Sequence, residues 1–191
     1  MPKEYERKFL IPQPDNLPKL SSGTEMCACY IPVELWIDIC EDYAASLMKN
    51  PETRERVNKM IRVDHNLAAR LRRESGRGVR ATIKDGNYNE EQSVWGEIPD
   101  DVLNRLLASN EHPSIEKTRY EIPYEGEDEL TWEIDYFKGA NEGRVIAEIE
   151  LDSMAHPITK PDWLGREVTE EKDKWSNLAL AIKPRPGNGD D

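Results

Sequence analysis

Apolar and charged residues alternate with a period of two in stretch after stretch of this chain, and this constrains the fold more than any other feature. Successive side chains on a β-strand point to opposite faces. Residues 4–11 put Glu4, Glu6 and Lys8 on one face and Tyr5, Phe9 and Ile11 on the other. A single strand of this kind fits an ordinary solvated face equally well. The arrangement recurs, however. Arg70 and Arg72 flank Leu71, and Thr82 and Lys84 flank Ile83. Lys117, Arg119 and Glu121 alternate with Thr118, Tyr120 and Ile122. Glu133 and Asp135 alternate with Trp132, Ile134 and Tyr136, and Glu148, Glu150 and Asp152 with Ala147, Ile149 and Leu151.

The polar faces are mostly charged and often of one sign. Like charges on one strand face repel each other, and mixed signs would serve solubility better. Sorting by strand makes sense if acidic strands hold cations and basic strands hold anions around a metal–polyphosphate complex. The apolar faces then point outward against helices, which inverts the usual barrel and needs a water- or ligand-filled interior. Carboxylates without thiolate or imidazole partners suit hard ions, Mg²⁺ or Mn²⁺. Arg and Lys suit phosphate oxygens, one through a planar fork and the other as a point charge.

The remaining segments fit such a barrel. Strands are expected at residues 4–11, 26–31, 66–74, 79–84, 92–98, 115–124, 130–138 and 144–152, with turns at 75–78, 85–87, Gly126 and Gly139. The strands follow one another in meander order, so the expected fold is α+β, mainly β: an eight-stranded antiparallel barrel with helices packed outside. Leu35, Trp36, Ile39, Cys40, Tyr43, Leu47 and Met48 form a helical stripe, and Asn50-Pro51 reads as the cap and first residue of a further helix to about residue 63. Helical patterns also cover 99–109 and 170–182, the latter with Thr169 as N-cap. The domain is expected to run over 1–183 with a helical insertion at about 34–65, followed by a loose polar tail at 184–191.

Composition narrows the function. The 191 residues carry a formal charge of −12, so a nucleic-acid backbone is a poor partner, while a local basic cluster can still hold a small anion. Cys27, Cys29 and Cys40 form neither a disulfide framework nor a zinc pattern, and His65, His112 and His156 are scattered surface or turn residues. No apolar leader opens the sequence and no window reaches membrane-spanning length, so a soluble cytoplasmic protein is expected. There is no G-x-x-x-x-G-K-[ST] loop and no G-x-S-x-G elbow.

Glu4-Tyr5-Glu6-Arg7-Lys8-Phe9-Leu10 resembles the N-terminal E-x-E-x-K motif of the CYTH superfamily, the triphosphate tunnel metalloenzymes. Arg70-Leu71-Arg72, Thr82-Ile83-Lys84, Lys117-Thr118-Arg119, Glu133-Ile134-Asp135 and Glu148-Ile149-Glu150 follow in the family's order, and 165–169 resembles its closing segment. The resemblance implies an eight-stranded tunnel. By motif position it implies Glu4, Glu6, Glu148 and Glu150 as metal ligands, and Lys8, Arg70, Arg72, Lys84, Lys117 and Arg119 as the phosphate-binding set. Lys8, Glu133 and Asp135 are the implied catalytic groups. The chain departs from the family at 93–98, where only Glu97 remains of a usual Arg and E-x-E, and in the long helical stretch after the second strand.

The expected activity is metal-dependent cleavage of the terminal phosphate of inorganic triphosphate or a related compound, with Mg²⁺ or Mn²⁺ as cofactor. The expected partner is a small-molecule triphosphate, without nucleic acid or membrane; a homodimer is compatible with this reading. Two alternatives remain: a cyclase that makes cyclic AMP from ATP, and a non-catalytic polyphosphate- or nucleotide-binding module.

Overall fold

The computed structural model describes residues 5–63, 67–84, 91–125 and 130–189. Glu4, His65, the expected turn at 85–87 and Gly126 lie outside the described residues. The strands are β1 (Tyr5–Leu10), β2 (Thr24–Tyr30), β3 (Ala68–Glu74), β4 (Gly78–Lys84), β5 (Glu91–Ile98), β6 (Ser114–Pro123), β7 (Thr131–Phe137) and β8 (Val145–Leu151). The helices are α1 (Val33–Tyr43), α2 (Ala45–Met48), α3 (Pro51–Val63), α4 (Asp100–Ser109), α5 (Lys172–Trp175) and α6 (Asn177–Ile182). The mainly-β class with eight antiparallel strands follows the sequence expectation. The chain divides into two compact units, one of residues 1–25 and 115–191, the other of residues 26–114.

In the first unit the strands lie in the order β1-β8-β7-β6. Its core is one face of that sheet: Phe9, Ile11, Trp132, Ile134, Ala147, Ile149 and Leu151. Leu17, Ile158, Trp163 and Leu164 from loops cover this face, where sequence reasoning expected helices. Phe9 and Trp132 meet edge-to-face at 5.7 Å, a geometry worth ~1 kcal/mol beyond its buried area.

The other edge of β1 is also occupied. Leu10 N donates to Arg166 O at 3.0 Å, Gly165 N to Leu10 O at 2.8 Å and Val168 N to Lys8 O at 2.8 Å. Gly165 has to lack a side chain here, because a Cβ would meet the Leu10 carbonyl oxygen at 2.7 Å. Thr169 does not cap a helix: its Oγ1 accepts from Lys8 N at 3.0 Å. The expected final helix is instead two short ones. Ser176 ends α5 in an extended conformation, and its side chain caps α6 by accepting from Ala179 N.

Residues 184–189, expected to be loose, carry specific bonds. Buried Arg144 donates to the carbonyls of Arg185 (3.0 Å) and Gly189 (2.7 Å), and Asn188 Oδ1 accepts from Val145 N at 3.0 Å. The Arg144 guanidinium also lies 4.8 Å from the centre of the Trp175 ring.

In the second unit the order is β2-β3-β4-β5. Cys29, Ala69, Leu71, Val79, Ala81 and Ile83 face Trp36, Ile39, Leu47, Val57, Met60, Val102 and Leu103 of the helices. Helices therefore pack on the apolar face of this sheet, as the alternation requires. The helical insertion is three helices, broken at Ala44 and at Asn50-Pro51. Asn50 caps α3 as the sequence suggests: its Oδ1 accepts from Glu52 N (3.0 Å) and Thr53 N (3.2 Å). Among the described residues no helix is long and apolar enough to cross a membrane.

Candidate active site

Strand register sets the site in the first unit. Lys8 lies opposite Glu148, and Glu6 opposite Glu150, across β1 and β8. Glu148 lies opposite Glu133 across β8 and β7. Arg119 lies opposite Asp135, and Glu121 opposite Glu133, across β7 and β6. Residues directly opposite in an antiparallel pair share a face. All these groups therefore project from the face opposite the Phe9–Trp132 core.

They form one interlocked network. Lys8 Nζ is 2.7 Å from Glu148 Oε1 and 3.1 Å from Glu6 Oε1. Arg119 Nη2 is 2.9 Å from Glu148 Oε2, and its Nη1 contacts Glu133. Arg119 Nε is 2.7 Å from Asp135 Oδ1 and Nη2 2.6 Å from Oδ2; Lys117 also donates to Oδ2. The network is deep: Lys8 is 8% exposed, Lys117 5%, Glu148 4% and Asp135 0%. Glu6, Glu121 and Glu150 sit at its exposed end.

Burial and pairing compete in setting the protonation states. Burial by itself would lower the Lys8 pKa, but Glu148 and Glu6 outweigh it and hold the ammonium well above its ordinary value. Burial would raise Glu148, yet Lys8, Lys117 and Arg119 keep it far below the usual carboxylate range. Burial pushes Lys117 down, with repulsion from Arg119 adding to it against the pull of Asp135. Burial also pushes Glu133 up to about 7, opposed by Arg119 and reinforced by Glu148.

The second unit carries the remaining basic candidates. Arg70 lies opposite Thr82, Arg72 opposite Arg80, and Ala68 opposite Lys84. Arg70, Arg72 and Lys84 thus share the face turned away from the helices. Arg72 Nη2 pairs with Glu74 at 2.6 Å. The Nε of Arg70 is buried without a hydrogen-bond partner among the described residues.

Arg80, opposite Arg72, was passed over in the sequence reading, and Glu121, opposite Glu133, was placed on the charged face but given no role. The signal was parity, since 121 follows 117 and 119, and 80 precedes 82 and 84. Glu97, the carboxylate left on the altered strand, has another job. It accepts from Ser46 N at 3.0 Å and from the Ser46 hydroxyl, capping the start of α2.

Among the described residues no group of three or more His, Cys, Asp or Glu is arranged to hold a metal ion. Glu6 and Glu150 nevertheless face each other in register beside Glu148, and this all-oxygen donor set suits a hard divalent cation. The cysteines take no part: burial pushes the Cys29 thiol up to about 11 and the Cys40 thiol to about 12.

No family model matches the chain. An inorganic triphosphatase from Nitrosomonas europaea is 30% identical over 114 residues, which are 58% of this chain and 72% of that protein. An inorganic triphosphatase from Acetivibrio thermocellus is 53% identical over 89 residues, 46% of this chain. In that match the chain spans only about half, 54%, of the relative's own length. A crystal structure of an inorganic triphosphatase superposes with a TM-score of 0.61 at 24% identity, covering 98% of this chain and 99% of that one, a likeness of fold.

Proposed function

Because the chain belongs to the CYTH superfamily of triphosphate tunnel metalloenzymes, we propose that it is a metal-dependent phosphohydrolase cleaving the terminal phosphate of inorganic triphosphate or a related compound. The observation that carries this reading is the buried network of Lys8, Glu148, Arg119, Asp135 and Lys117. Desolvating so many charges stabilises a fold no better than packed apolar groups of the same volume would. A phosphoryl-transfer site, by contrast, needs preorganised charge in a dry place.

Each residue has a role in this proposal. Lys8, Arg119 and Lys117 bind phosphate oxygens and offset the charge that builds up during transfer; Arg70, Arg72 and Lys84 are assigned to phosphate binding by motif position. Asp135, fully buried and held by two cations, orients Arg119 and Lys117 and does not meet water. Glu133 is more open and touches only one cation in the network, so it is the carboxylate better placed to take a proton from an attacking water. Glu6, Glu148 and Glu150, with Glu4 by motif position, are the ligands for Mg²⁺ or Mn²⁺. A bound divalent ion would neutralise phosphate charge and acidify a water. We place the protein in the cytoplasm.

The test is a substrate panel of inorganic triphosphate, ATP and thiamine triphosphate, each in Mg²⁺ and in Mn²⁺, with the products identified. Orthophosphate release from inorganic triphosphate supports the proposal. Pyrophosphate with cyclic AMP from ATP would establish the cyclase instead, and tight binding without turnover the binding module.

A further inference from the structure

We propose that Ser176 is a positioning residue for Lys8: its hydroxyl breaks the last helix so that the Trp175 carbonyl turns to the Lys8 ammonium and not to the next helical turn. This deepens the phosphohydrolase reading and rests on it for the role of Lys8. A lysine ammonium has three protons to place. The Lys8 Nζ lies 2.7 Å from Glu148 and 3.1 Å from Glu6, and it donates to Trp175 O at 3.5 Å. The first two neighbours are charged. The other is a neutral carbonyl, 167 positions away in the sequence.

That carbonyl is turned to Lys8 by a local exchange of partners. In an unbroken helix Trp175 O would accept from the amide four residues on, Ala179 N. Residues 172–182 contain neither glycine nor proline, so composition alone forces no break. The break comes at Ser176, whose φ of −69° and ψ of 154° are extended. Its Oγ accepts from Ala179 N at 3.1 Å and so takes the donor that Trp175 O would have used. Trp175 itself is fixed. Its ring is fully buried, its Nε1 donates to the Glu171 carboxylate at 3.2 Å, and its amide donates to Glu171 O at 2.9 Å. A helix cap as such could sit elsewhere in this segment, but moving the break by one residue would swing the liberated carbonyl about 100° round the helix and away from Lys8. A neutral acceptor also suits a phosphate-binding ammonium. It holds Nζ in place without cancelling charge, whereas a further carboxylate would compete with the phosphate oxygens.

Ser176→Ala removes the hydroxyl and lets Ala179 N return to Trp175 O. With the full chain and inorganic triphosphate as substrate, kcat should fall about tenfold or more with KM within about threefold, the signature of a misplaced catalytic group. Ser176→Thr keeps the acceptor and should restore kcat. A kcat within about twofold of wild-type in Ser176→Ala, or an equal loss in Ser176→Thr, overturns the inference. Should Ser176→Ala fail to fold, Ser176→Gly decides on the same criteria, because glycine is tolerated at a helix start. Absence of turnover in the wild-type protein would end the phosphohydrolase reading without touching the contact. The nitrogen-15 resonance of the Lys8 ammonium, assigned by its loss in Lys8→Gln, then decides. A shift in Ser176→Ala that is reversed in Ser176→Thr supports the positioning role, and an unmoved resonance overturns it.

Discussion

Arg119 holds Asp135 at two points, Nε to Oδ1 at 2.7 Å and Nη2 to Oδ2 at 2.6 Å, with no part of Asp135 exposed to solvent. The same guanidinium reaches Glu148 and Glu133, so one planar fork ties three carboxylates from two strands, β7 and β8, into a fixed geometry. Lys117 completes the charge balance at Asp135.

Asp135→Asn keeps the volume and removes the charge. Lys117 and Arg119 then stay buried with less neutralisation, a loss on the order of 3–5 kcal/mol for a broken buried pair. Chemical denaturation should report it. A change within about 0.5 kcal/mol would mean that the pair does not hold the site together.

Arg119→Lys retains a positive charge but cannot reach Asp135 in two places and Glu148 at once. Hydrolysis of inorganic triphosphate should fall by about 100-fold or more, while circular dichroism stays that of the parent. Activity within twofold of wild-type would show that the fork geometry is dispensable.

Removal of divalent ions with EDTA should abolish turnover and leave the melting temperature nearly unchanged, because Lys8 and Arg119 already neutralise Glu148 in the absence of metal. Mg²⁺ or Mn²⁺ should restore activity, and neither should rescue Glu6→Gln. Full turnover in EDTA would refute metal dependence.

Arg7 lies 2.6 Å from Glu167 and, chiefly through its hydrogen bonds, holds that carboxyl down at about 2 from an ordinary 4.5. The folded pKa is depressed, so the contribution to stability is full above pH 4.5 and is lost as pH falls toward 2. Partial exposure limits it to about 1 kcal/mol. The melting-temperature gap between wild-type and Glu167→Gln should be present at pH 7 and close across that window. A gap that persists at the acid end would separate it from ionisation of this group.

Arg144→Met should cost about 2–4 kcal/mol, because two tail carbonyls lose their donor and Trp175 loses one of the cations near its ring, Lys174 and Arg185 remaining. Truncation after residue 183 should lower the melting temperature in the same direction. A truncated chain as stable as the full one would mean the tail adds nothing.

Period-two alternation made the strands and both faces legible. Phe9 beside Lys8, Leu71 beside Arg70 and Ile149 beside Glu148 each announce an inside and an outside. Alternation does not give register, however, so it could not say that Arg119 meets Asp135 or that Arg80 stands opposite Arg72. Capping depends on partners remote in sequence. Thr169 suits a helix start locally, yet Lys8 N, 161 positions away, takes its hydroxyl. Glu97 suits a strand face, yet the free amide of Ser46 takes its carboxylate. Motif order supplied the identity of the charged residues; long-range geometry supplied what each one touches.

The segment at 165–169 lies along one side of β1 while β8 lies along the other. β1 therefore meets the strand and the segment that flank it only once residues 145–169 exist, whereas β2, β3, β4 and β5 pair with one another in chain order. Because the closure of long loops slows folding, Lys8 is seated late in assembly, and from Lys8 to Leu10 the strand that carries it has both edges occupied against a foreign strand.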